Sequence, residues 1–196
     1  MTDVAEKIPV RDGAAAAPLI QSIHHVAFRC FDAEETRRFY EDIMGMELAA
    51  ALVFDEAPGG GERLEYMHLF FRMGDENFIA FFDLPDHLGS QKFKSTSGFN
   101  RHIALKVRDH AEVDAFGVRW REQDLKVEGP IDHGFVYSVY TYDPNGIQVE
   151  VTCPTSTHDQ VLAEEQQQSR AALAEWTEKT RHKKEASQSK PASPPQ

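Results

Sequence analysis

The hydrophobic positions fall mostly into short alternating runs, the pattern of strands, interrupted by stretches of helical spacing. The clearest run is Ile147, Val149 and Val151, alternating with Gln148, Glu150 and Thr152, so one face is apolar and the other polar. Ahead of it, residues 135–142 are rich in Val and Tyr, which suit a pleated, half-buried surface. Ser138, Tyr140 and Tyr142 share one face of that strand, and Tyr137, Val139 and Thr141 the other. Asp143-Pro144-Asn145-Gly146 between the two runs is turn chemistry. The pattern predicts a hairpin with Glu150 in mid-strand, a costly place for a carboxylate without a partner.

The same alternation predicts strands at 22–30, 47–54, 63–73, 77–83, 100–107 and 125–128. In the first of these, His25, Ala27 and Arg29 share a face and His24 takes the opposite one. Asp32 reads as a helix N-cap, with Glu35 as its capping-box partner. Phe39, Tyr40, Ile43 and Met44 follow at helical spacing, and Gly45 is placed to stop the helix. A second helix is predicted at 109–123, and a third, with a weak apolar face, at 157–182.

These elements occur in duplicate. His25-Val26-Ala27-Phe28 and His102-Ile103-Ala104-Leu105 stand 77 positions apart, and the same offset relates Asp32 to Asp109, Glu35 to Glu112 and Phe39 to Phe116. A strand, a D-x-x-E cap and an aromatic in one register twice over indicate an internal repeat. The expected class is α+β: two βαβββ modules and a C-terminal helix. The expected division is a flexible arm at 1–20, one domain at 21–156, a helix at 157–182 and a disordered tail at 183–196. Within the domain, module one is 21–84, a connection follows at 85–98, and module two is 99–156. Aligned module on module, Glu150 of the second copy falls on Ala80 of the first.

Charge and composition exclude several partners. A net charge of −11 argues against nucleic acid and anionic membranes, and no apolar run approaches a membrane span. Cys30 and Cys153 make no disulfide framework, so a cytoplasmic location is expected.

The His-hydrophobic-Ala-hydrophobic strand starts resemble the vicinal oxygen chelate superfamily, the glyoxalase/bleomycin resistance/dioxygenase fold. The resemblance runs from about 22 to 154. It implies modules curled into a half-open mixed barrel around one metal, with His25, His102 and Glu150 as ligands. Within the superfamily, the run from Asp132-His133 through Val139-Tyr140 and Asp143-Pro144-Asn145-Gly146 to Glu150 resembles the extradiol ring-cleaving dioxygenase signature. That likeness implies a non-haem Fe(II) enzyme, with Mn(II) as a substitute, acting on an aromatic diol and O₂, and a homodimer. Two imidazoles and a carboxylate are the facial triad such enzymes use. It also implies that His133 and Tyr140 line the substrate pocket and that a histidine ahead of His102 moves the proton. His87 is the candidate, with His68 second.

Other chemistries of the superfamily stay open. Glyoxalase-type isomerases take a fourth ligand from the first module, which Ala80 cannot supply, and this counts against them. Fosfomycin-type thiol transferases use two histidines and one glutamate. Metal-free bleomycin-type binders lack the ligand set.

Overall fold

The computed structural model describes residues 21–56, 63–85 and 101–188. The first module contains β1 (His25–Cys30), α1 (Ala33–Arg37) running on into a π-helical segment (Arg38–Ile43), β2 (Glu47–Glu56), β3 (Arg63–Arg72) and β4 (Phe78–Asp83). The second repeats the order with β5 (His102–Lys106), α2 (His110–Glu122), β6 (Glu128–Asp132), β7 (Val136–Tyr142) and β8 (Gln148–Pro154). The long α3 (His158–Gln188) follows. It continues past the expected end at His182. No helix among the described residues is long and apolar enough to cross a membrane.

Each module makes its own four-stranded mixed sheet, in the orders β1-β4-β3-β2 and β5-β8-β7-β6. In both, the first strand runs parallel to the last and the remaining pairs are antiparallel. The duplication extends to the caps. Asp32 accepts from the Glu35 amide at 2.7 Å, and Asp109 accepts from the Glu112 amide at 3.1 Å. Gly45 ends the first helix at φ +77°, where the left-handed backbone favours glycine.

One face of each sheet packs against its helix. In the first module Leu69, Phe71, Ile79 and Phe81 meet Phe39 and Tyr40; in the second Val139, Val149 and Val151 meet Val113 and Trp120. By alternation, the opposite faces carry His25, Ala80 and His68 on one sheet, and His102, Glu150 and Tyr140 on the other.

The modules are joined on the helical side, through the turn between β7 and β8. Asp143 accepts from the amides of Asn145 and Ile147, at 2.9 and 2.8 Å, and from the Tyr40 hydroxyl at 3.2 Å. The Asn145 side chain accepts from the Phe31 amide at 3.0 Å and donates to Thr36 Oγ1 at 3.2 Å. Asp143, Asn145 and Thr36 are all buried, and burial pushes the Asp143 carboxyl above its ordinary pKa.

One strand departs from the sequence reading. The expected strand at 125–128 lies instead at Glu128–Asp132 and includes Gly129 and Pro130. Gly-Pro reads as a loop, yet β6 is an edge strand, where proline costs no ladder hydrogen bond. The register shift between Glu128 and Ile131 absorbs the irregularity.

Candidate metal centre

The parallel pairing of β5 and β8 sets His102 beside Gln148 and Ala104 beside Glu150. Antiparallel β7 then sets Tyr140 beside Glu150 and Ser138 beside Thr152. Paired positions project from the same face, so the register collects these polar groups into one patch. His102 Nε2 lies 2.7 Å from Glu150 Oε2, and His102 Nδ1 lies 2.8 Å from Gln148 Oε1. Ser138 Oγ donates to Glu150 Oε1 at 2.5 Å and lies 2.8 Å from Thr152 Oγ1.

The donor set of this patch fits a cation. With Nδ1–H donating to the Gln148 oxygen, a neutral His102 carries its lone pair on Nε2. That lone pair then faces a carboxylate oxygen at 2.7 Å. Two acceptors this close repel each other unless a proton or a metal ion is shared between them. Glu150 is only 8% exposed, so water does little to relieve the contact. Gln148 and Ser138 stand where partners that orient metal ligands stand.

Next to this patch, His133 Nε2 and the Tyr140 hydroxyl are 2.7 Å apart. The Tyr140 and His102 ring centroids are 6.1 Å apart. Burial holds the Tyr140 phenol above its ordinary pKa, so it keeps its proton at neutral pH. His133 lies between β6 and β7, where Gly134 at φ +87° turns the chain.

The structure therefore brings His102, Glu150, His133 and Tyr140 together and leaves His25 on the other sheet. Within the chain, no three His, Cys, Asp or Glu side chains among the described residues are grouped to hold a metal ion. His87 lies outside the described residues. His24 does not behave as strand parity predicts. It precedes the first residue of β1, and its Nδ1 comes within 2.9 Å of His25 Nδ1. His68 stands near His25 on β3, and burial, helped by the neighbouring His25, lowers its pKa. Burial raises the pKa of both cysteine thiols, Cys30 to about 12, which suits packing and not nucleophilic chemistry.

Gln148, Ser138 and Thr152 were not singled out by the sequence reading. Their signal was nevertheless present, since each shares a strand face with Glu150 or Tyr140 at a spacing of two.

Duplicated βαβββ sheets with a histidine–carboxylate pair on the open face of the second define a recognisable class of protein. The profile of the Glyoxalase/Bleomycin resistance protein/Dioxygenase superfamily matches residues 22–151. The chain belongs to that superfamily. It is 31% identical to the "Probable lactoylglutathione lyase" of Synechocystis sp., over 69% of this chain and 97% of that one. It is 23% identical to the lactoylglutathione lyase of Neisseria meningitidis serogroup A, over 70% and 94%. A glyoxylase/bleomycin resistance protein/dioxygenase domain from Frankia sp. superposes with a TM-score of 0.58 at 13% identity, covering 70% of this chain and all of that one. Enzymes of this superfamily are metal-dependent.

These relatives overturn the expected ring-cleaving dioxygenase. The proteins this sequence resembles are named as lyases of lactoylglutathione, so an aromatic diol with O₂ and a role in aromatic catabolism are withdrawn. The structure gives the physical reason the hairpin signature misled. Asp143 and Asn145 are buried in the joint between modules. The turn is therefore demanded by the fold, whatever chemistry the sheet face performs.

Proposed function

We propose that this chain is a metal-dependent enzyme of the glyoxalase type, a lyase or isomerase acting on a glutathione conjugate. The 31% identity to a relative named as a lactoylglutathione lyase carries the reading. Interconverting the hemithioacetal of glutathione with a 2-oxoaldehyde and the thioester lactoylglutathione shifts a proton between adjacent carbons, with no net oxidation. His102 and Glu150, with His25, would hold a divalent cation, which would polarise the substrate oxygens and stabilise negative charge developing there. The His133–Tyr140 pair beside them supplies the proton-handling groups. The phenol donates to a developing oxyanion, and the imidazole accepts the migrating proton and returns it. Gln148 and Ser138 keep His102 and Glu150 aimed.

In this reading the donor set is completed by two copies of the chain, His25 coming from one and the His102–Glu150 pair from the other. The faces that carry these residues also present apolar side chains to solvent. Leu52, Phe54 and Ile131 project from them and are 45%, 40% and 41% exposed. Light scattering should return a dimer; a monomer that binds metal and turns over would remove this arrangement.

The functional test is to load the protein with nickel, zinc or manganese and supply glutathione with methylglyoxal. Thioester formation supports the reading, and its absence with every metal refutes it. Ala80 in place of a fourth ligand also suits a thiol transferase acting on fosfomycin, and conjugate formation in a parallel reaction would favour that chemistry instead.

Ser138→Ala should weaken metal affinity about ten- to a hundredfold through the loss of Glu150's support. Competition with a chromophoric chelator measures this, and unchanged affinity would show that Glu150 holds its position unaided.

A further inference from the structure

The two sheets are built to one register, and at the ligand positions that register exposes a mismatch. Ala27 pairs with Ala80 in the first module as Ala104 pairs with Glu150 in the second. A methyl group therefore stands where the second module places its carboxylate. Next to Ala80 on β3 is Phe70, and the next pair on that face is His68 with Phe82. The corresponding residues on β7 are Tyr140 and Ser138. His68 thus occupies the position from which Ser138 reaches Glu150, but with a longer, metal-ligating side chain.

It stands beside His25. The two imidazole centroids are 6.1 Å apart, with the rings inclined at 65°. Phe82 stacks on His68 at 3.9 Å, and Phe70 lies at 4.1 Å, which restricts the ring. His68 Nε2 is buried and has no hydrogen-bond partner among the described residues. Stacking accounts for the ring but leaves that nitrogen unexplained, since buried polar atoms are ordinarily satisfied. With metal–nitrogen bonds of 2.0–2.1 Å, two imidazoles on one ion have centroids about 5 Å apart. A modest side-chain rotation of exposed His25 closes the difference.

We propose that His68 is a fourth metal donor, joining His25 in the first module in place of the carboxylate missing at Ala80. This rests on the metal centre proposed above and names a ligand that centre would otherwise lack.

The test is binding of zinc to the full-length chain, followed by calorimetry, with the coordination shell read by X-ray absorption. His68→Phe keeps the stacking volume, and His68→Gln keeps polarity; circular dichroism verifies that each is folded. His102→Ala serves as the control for the centre itself. The expected result is that either His68 variant binds zinc about ten- to a hundredfold more weakly and shows one fewer imidazole in the shell. Ala80→Glu added to His68→Phe should restore affinity by returning the carboxylate. A wild-type chain that binds zinc through His102, with affinity and imidazole count unchanged in both His68 variants, overturns the proposal and leaves the centre standing. Zinc binding that survives His102→Ala undiminished, or no binding by the wild type, overturns the centre and the proposal with it.

Discussion

Glu150→Gln is expected to strip the protein of metal while leaving it folded. The substitution keeps the size of the side chain and its contact with Ser138, but replaces a charged ligand with a neutral amide. The carboxylate is 8% exposed and 2.7 Å from His102 Nε2, so in the wild type its charge is poorly screened by water. Removing that charge should lower metal affinity by more than about a hundredfold, beyond the effect of losing an orienting partner. Losing several kcal/mol of electrophilic stabilisation corresponds to a fall of about a thousandfold or more in kcat/KM for thioester formation. The melting temperature of the metal-free protein should stay level or rise, because a buried charge has gone. Full metal content in the purified variant would remove Glu150 from the ligand set.

Asn145→Ala should have the largest effect on stability. Its side chain accepts from the Phe31 amide and donates to Thr36 and Asp143, reaching both modules from a residue only 1% exposed. Alanine would leave the Phe31 amide without its acceptor and weaken the bonds around Thr36 and Asp143. The Phe31 amide is only part-buried and Thr36 and Asp143 keep other partners, so at roughly 1–3 kcal/mol for a buried polar group left unsatisfied a loss of about 2 kcal/mol is expected. Urea denaturation with an unchanged slope would register it as a lower midpoint. A loss under about 0.5 kcal/mol, the size of an ordinary surface substitution, would mean the joint does not depend on this side chain.

Much of the fold was legible because a duplicated pattern carries its own check. The paired strand starts, the paired D-x-x-E caps and the alternation through Glu150 each identified an element, and the repeat fixed the order in which they recur. Legibility failed where a local signal had two physical causes. Gly129-Pro130 breaks a central strand but is tolerated at the edge, which only the sheet order reveals. His24 lies just before β1, where alternation does not yet apply. The Asp-Pro-Asn-Gly turn looked like part of a catalytic signature and is in large part a structural joint. At the site, His102 with Glu150 and His133 with Tyr140 were legible because each pair is set by strand register or by one turn. Where His25 sits relative to them depends on how two modules dock, and no spacing along the chain encodes that.

The separation of His25 from the His102–Glu150 pair has a kinetic consequence if the donors come from two polypeptides. Specific activity would then depend on protein concentration, falling on dilution as subunits part and release their ion. Mixing chains with complementary defects, one altered at His25 and the other at Glu150, would regenerate one intact centre per mixed pair alongside one that lacks both.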